Sequence, residues 1–222
     1  AAIRPISITK QIIRIDIPFM VMVSVIFWVM CLDSDIDRID GIILIALLIL
    51  FLFYGLATAK DKDGAGSSET VSAMVLIKNL VFILLGIIML AYGANFVVRE
   101  AIQIASRIGL SQTFIGISVV ALGTSLPELA TSAVAAAKGE SDISVGNVVG
   151  SNLFNICLVM GIVGLFNPMT VESTLHRFQF PFMIFICLAL WATAFRSGRI
   201  SKWSGIGFIF LFIIYIFVSY VN

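Results

Sequence analysis

Charge is what this chain has least of. Only 12% of its 222 residues are Asp, Glu, Lys or Arg, against roughly 25% in an average soluble domain. About half of the usual water-facing coat is absent, which excludes a soluble enzyme and a disordered tail. The 14 basic residues exceed the 13 acidic ones by one and never cluster. The phosphate-tracking stripe of a nucleic-acid binder is therefore missing too. A single histidine, His176, lies in a short loop with no nucleophile beside it. It reads as a solvated loop residue rather than a catalyst, and the chain is not expected to be an enzyme. The three cysteines, Cys31, Cys157 and Cys187, sit in apolar runs without paired spacing. That excludes a disulfide or zinc framework and leaves small packing residues.

Apolar residues make up 60% of the chain, and its mean hydropathy is +1.09. Charge-free stretches run 17–32, 41–59, 79–98, 108–127, 129–137, 143–171, 178–195 and 203–222. A helix needs about 20 apolar residues to cross a bilayer core. Only Glu128 separates 108–127 from 129–137, so these form one interrupted span. The result is an all-α membrane protein with seven spans, A to G, surrounded by lipid. Residues 60–72 (KDKDGAGSSETVS) are the one linker, charged and then rich in Gly and Ser.

Basic residues give the orientation. The N-terminal segment and the B/C, D/E and F/G connections carry ten of them, and the other side carries four. Residue 1 is thus expected in the cytoplasm and Asn222 outside, in a plasma membrane such as the bacterial inner membrane. The acidic A/B connection, LDSDIDRID, falls outside and reads as a solvated turn.

The segment around span A recurs around span F at an offset of 163: PISITKQIIRIDIPFM from Pro5 aligns with PMTVESTLHRFQFPFM from Pro168. Pro5, Arg14, Pro18, Met20 and Trp28 pair with Pro168, Arg177, Pro181, Met183 and Trp191. After one inserted residue, Asp40-Gly41 pairs with Ser204-Gly205. Spans A and F are an odd number of crossings apart and traverse the membrane in opposite senses. Such an inverted repeat is the hallmark of secondary transporters. With C to G as the unit, residues 1–59 hold the last two helices of an earlier copy and 73–222 a complete second copy. The chain is accordingly expected to be a fragment lacking three helices, or a half-unit that assembles with a partner subunit.

One carboxylate lies well inside a span. Glu128 sits in ALGTSLPELATSAVAAA, and intramembrane carboxylates usually mark an ion path. Pro127 cannot donate to the Gly123 carbonyl, so the helix should break near 121–127 and bare backbone oxygens. Thr124 and Ser125 lie four and three residues before Glu128, on its face of a helical turn. Glu, Ser, Thr and carbonyl oxygens suit hard cations such as Ca²⁺ or Na⁺. Span E adds a polar stripe, Asn147, Ser151 and Asn155, at steps of four. Its Gly146 and Gly150 form a small-xxx-small pair that permits close helix approach.

Together, GTSLPE at 123–128 and GNVVGSN at 146–152 resemble the second alpha-repeat of the calcium/cation antiporter superfamily, nearest the prokaryotic sodium/calcium exchangers. The resemblance extends through spans A to G. It implies a ten-helix fold of two inverted five-helix repeats, whose four polar segments meet at the midplane. It implies Glu128 as the central ligand shared by Ca²⁺ and Na⁺, with the Thr124 carbonyl and the Ser125 and Ser151 hydroxyls. Ala121 would lend its carbonyl to a peripheral Na⁺ site. Asn155 falls where members carry Asp or Asn, leaving this half one formal negative charge. No cofactor is implied beyond the transported ions. The function expected is Ca²⁺/Na⁺ antiport; a Ca²⁺/H⁺ exchanger and a non-transporting ion-binding half-unit are the alternatives. Spans A and F are expected to move together during alternating access.

Overall fold

Proline accounts for much of how these apolar runs become helices. The computed structural model describes residues 1, 5–63, 73–110 and 115–221. Its main helices are α1 (Ile17–Met30), α2 (Arg38–Asp63), α3 (Ala73–Arg107), α4 (Ala121–Thr124), α5 (Leu126–Lys138), α6 (Ser141–Leu153), α7 (Gly161–Phe166), α8 (Gln179–Ser197) and α9 (Lys202–Val221). Wider π-helical turns, Ile12–Asp16, Gly116–Val120 and Phe154–Met160, precede α1, precede α4 and join α6 to α7. Four two-residue strands complete the set: β1 (Ile6–Ser7), β2 (Asp35–Ile36), β3 (Met169–Thr170) and β4 (Arg199–Ile200).

Among the described residues, six helices are long and apolar enough to cross a membrane, or up to seven when the bent pair around Ser125 is one span. The upper count matches the spans A to G. Their edges differ from the charge-free runs. Span A starts at Ile12, which takes Asp16 inside the helix instead of at its edge. Span E stops at Phe166, because the chain turns into β3. Of the expected 60–72 linker, residues 60–63 continue α2; 64–72 lie outside the described residues, as do 111–114 at the start of span D.

The chain divides into two compact units. The first comprises Ala1–Ala65 with Ala135–Ile206 and is centred on α1. Ile17, Met20, Val23, Ser24, Phe27 and Cys31 of that span are all buried, and Cys157 and Cys187 join them as buried free thiols. Helices α1 and α8 run antiparallel with a short ladder at each end. Ile6 pairs with Ile200 and Ser7 with Arg199; Ile36 pairs with Met169 and Asp35 with Thr170. Under the repeat offset, 163 before the inserted residue and 164 after it, the first ladder maps onto the second pair by pair. The flanking bonds map as well: Ile8 N–H to Gly198 O at 3.0 Å and Val171 N–H to Ser34 O at 2.7 Å. So do the left-handed residues that end the two helices, Ser34 (φ 67°) and Gly198 (φ 64°). At the midpoint Ser24 lies beside Cys187. These two residues are each other's counterparts in the repeat, so a local pseudo-twofold axis passes between them.

The tryptophans follow the same symmetry. Trp191 Nε1–H donates to Ile13 O at 3.0 Å, and Trp28 Nε1–H donates to His176 Nδ1 at 3.2 Å. Residue 176 is the counterpart of 13, and 191 of 28. Pro18 explains the first bond. In the π-turn, Ile17 N–H reaches back to Ile12 O, and the next donor in line for Ile13 O would be residue 18, which has no N–H. The indole supplies what the helix cannot. His176, read from the sequence as a solvated loop residue, is instead half-buried and hydrogen-bonded. The pairing ties spans A and F to each other at both ends.

The closest helix crossing joins α2 to span E. A Cβ on Gly41 would lie 2.6 Å from Gly161 O and 2.7 Å from Leu165 N, both backbone atoms. Gly164 approaches Asp37 O and the Gly41 Cα in the same way. The second unit, Gly66–Val134 with Gly207–Asn222, contains α3, α4 and most of α9. There Gly123 of α4 is buried against α3, and a Cβ on it would overlap Val98 Cγ2.

Two substitution sets test these contacts by thermal unfolding in detergent. Gly41→Leu should destabilise by at least about 1–3 kcal/mol, because backbone on both sides cannot yield. Gly55→Ala, on the same helix but with open space around it, should be neutral or stabilising. In the second unit, Gly123→Ala should lower the unfolding temperature, and adding Val98→Ala should recover most of the loss. Recovery by a distant Val→Ala change instead would refute the Val98 contact.

Candidate ion site

Span D is broken where its sequence demands. Proline at 127 has no N–H for the Gly123 carbonyl, and its ring crowds the turn before it. The helix responds by stopping at Thr124 and restarting at Leu126, with Ser125 between at φ −93°, ψ 3°. The two segments meet at a bend of 51°. Ser125 N–H closes a tight turn on Leu122 O at 3.2 Å, and Leu129 N–H begins the new helix on Ser125 O at 2.9 Å. Pro127 then sits in the first turn of α5, where its missing donor costs least. Glu128 lies in that same turn, where the helix dipole favours negative charge. Its side chain is half-buried, and its Oε2 is withdrawn from the surface.

The hydroxyls around the break are turned toward backbone. Thr124 Oγ1 donates to Ala121 O at 3.0 Å, and Thr131 Oγ1 donates to Pro127 O at 2.8 Å. A hydroxyl that spends its proton on a carbonyl keeps its lone pairs for a cation. The Ala121 carbonyl likewise retains a second lone pair. Ala121, Thr124 and Ser125 are exposed. The structure thus brings four of the six expected ligands, Ala121, Thr124, Ser125 and Glu128, onto one broken span.

The other two, Ser151 and Asn155, lie on span E in the first unit. Ser151 Oγ donates to Val148 O at 3.1 Å, a carbonyl that also accepts from Asn152 Nδ2 at 2.8 Å. Ser151 is half-buried and Asn155 exposed. Asn155 falls in the π-turn Phe154–Met160, so the step-of-four stripe from Asn147 through Ser151 ends at the residue where the helical period changes. Such wide turns frequently occur at functional sites. No feature of the sequence announced this turn or its partner at Gly116–Val120. Among the described residues, a Cβ on Gly146 or Gly150 would meet nothing within 4 Å, so neither glycine makes a close approach inside this chain. The tight crossing of span E is at Gly161 and Gly164, whose neighbour Gly41 also lacks a side chain.

Among the described residues, no three His, Cys, Asp or Glu side chains gather into one metal-binding group. The oxygens around the break of span D are the Glu128 carboxylate, the Thr124 and Ser125 hydroxyls and the backbone carbonyls. That donor set is hard and all-oxygen, fit for Na⁺ or Ca²⁺ and unsuited to zinc or copper.

Residues 78–221, which include both polar segments, match the family model described as sodium/calcium exchanger protein. The inner membrane protein YrbG of Escherichia coli is 31% identical over 211 residues, covering 90% of this chain. The sodium/calcium exchanger MaX1 of Methanosarcina acetivorans is 36% identical over 143 residues, 64% of this chain and 41% of its own length. The solved sodium/calcium exchanger from Methanococcus jannaschii superposes with a TM-score of 0.78 at 30% identity, covering 97% of this chain and 68% of that one. The chain spans 65% of the length of YrbG. By sequence across both polar segments and by the course of its helices, the chain belongs to the sodium/calcium exchanger family.

Proposed function

We propose that this chain is the larger part of a secondary antiporter that exchanges Ca²⁺ for Na⁺, with Glu128 as the ligand both ions share. The observation that carries the reading is a carboxylate one turn beyond a proline-driven break, in a span otherwise free of charge. Ser125 and Ser151 contribute hydroxyls, Thr124 its carbonyl and Asn155 its amide oxygen, while the Ala121 carbonyl serves a peripheral Na⁺. The names of MaX1 and the Methanococcus protein, both sodium/calcium exchangers, support the choice of ions.

Charge explains why this part alone is insufficient. Calcium takes 6–8 oxygens, and a single carboxylate leaves it with net charge in a low-dielectric cavity. The second carboxylate comes from a matching repeat, in the same polypeptide or in a partner subunit. Exchange follows because one Ca²⁺ or several Na⁺ can satisfy the same carboxylates, but not both together. The basic-residue asymmetry supports a bacterial inner-membrane orientation with residue 1 cytoplasmic and the C-terminus outside. Asn155 cannot titrate, so in a proton-coupled exchanger the protons would be carried by Glu128 and its counterpart.

The test is Ca²⁺ uptake into vesicles holding the longest native polypeptide that carries this chain, with an imposed Na⁺ gradient and clamped pH. Uptake should follow the Na⁺ gradient and vanish in Glu128→Gln. Uptake that ignores Na⁺ and follows a pH gradient would overturn the sodium assignment; normal uptake by Glu128→Gln would overturn the site. Asn155→Asp should keep exchange at high pH but add acid sensitivity. Its uptake should fall more steeply than the parent's between about pH 8 and about pH 5, as the added carboxylate is protonated.

A further inference from the structure

The two indole joints of the α1–α8 pair occupy symmetric places and differ in chemistry. At one end the acceptor is the Ile13 carbonyl, which has no proton to gain at any ordinary pH. At the other it is His176 Nδ1, 3.2 Å from Trp28 Nε1. An indole N–H only donates. The imidazole must therefore be neutral, with Nδ1 bare and the proton on Nε2. That Nε2 is itself buried with no hydrogen-bond partner, and the ring lies 5.3 Å from Phe180. Trp28 stacks on the same phenyl ring at 6.4 Å. Gaining a second proton would set N–H against N–H across the joint, and no acceptor lies on the far side of the ring to offset the loss.

The ionisable groups on the surrounding elements leave this logic intact. Glu172 and Arg177 flank His176 in its own turn, and Asp33 and Asp35 lie where α1 passes into β2; β3 and the adjoining end of α8 carry none. Glu172 accepts from Thr174 Oγ1 at 3.2 Å. The ring's own contacts are with Trp28 and Phe180.

We propose that His176 is a proton-operated release at one end of the α1–α8 pair. The neutral imidazole holds Trp28, the imidazolium lets it go, and the Ile13 end holds regardless. Acid on one side of the membrane would thus loosen one end of the pair alone. This rests on the two hydrogen bonds and not on which ions are exchanged.

The three tryptophans of this chain supply the test. Trp28 faces a titratable acceptor, Trp191 a carbonyl, and Trp203 is 82% exposed. Their indole ¹⁵N resonances would be followed in the longest native polypeptide in lipid nanodiscs, assigned by Trp→Phe substitution, from about pH 8 to about pH 5, where histidine changes charge. The Trp28 resonance should move through a single titration while Trp191 stays constant. In His176→Gln, whose amide oxygen accepts at every pH, Trp28 should stay constant too. A Trp28 resonance that does not move, one that moves together with Trp191, or a titration that survives in His176→Gln would each overturn the proposal. Should the Gln variant fail to fold, the contrast between Trp28 and Trp191 in the native protein decides alone.

Discussion

A proline in a membrane span leaves a carbonyl without its donor, and lipid offers no water to replace it. Much of this structure is a set of answers to that single deficit. At Pro18 the answer is a wider turn and a distant indole: the Ile17 amide shifts to Ile12, and Trp191 reaches across from α8 to take Ile13. At Pro127 the answer is a break, which leaves oxygens around Ser125 where an ion can use them. The same deficit is met by a partner side chain in one case and by a change of course in the other. That difference separates a continuous helix from a broken one.

Much of this was legible because rare residues carry it. Four of the five prolines and two of the three tryptophans disclosed the repeat, and the repeat foretold antiparallel spans that the ladders then display. Glu128 was legible for a similar reason, since one charge in a long apolar run has few structural excuses. The π-turns were not legible, because widening a helix by one residue needs only that local packing prefer it, and Phe154–Met160 reads like any apolar turn. Glycine was legible only in part. Spacing at Gly146 and Gly150 says that close approach is possible, and it is the position of α2 that brings Gly161 and Gly164 against Gly41. His176 looked solvated because a loop residue's partner, Trp28, lies 148 positions away.

The first unit and the span that bears Glu128 divide their tasks. In the first, α1 and α8 are tied at both ends, and α2 is locked against span E by facing glycines. These contacts offer little freedom. The broken span is built otherwise, with a 51° bend and hydroxyls folded onto its own carbonyls. Close packing is thus concentrated in one place and spare backbone and hydroxyl oxygens in another.

The meeting of Ser24 with Cys187 reaches further back than the present protein. Residues that face their own counterparts across a twofold axis would, in two identical copies, have been the same residue meeting itself. In a self-pair both residues bring the same groups, so nothing fixes which of them donates. Here the residues are unlike: one is a hydroxyl that donates to Met20 O and the other is a thiol. The direction of the contact at the centre of the pair is therefore set by the sequence, where exact symmetry would have left it open.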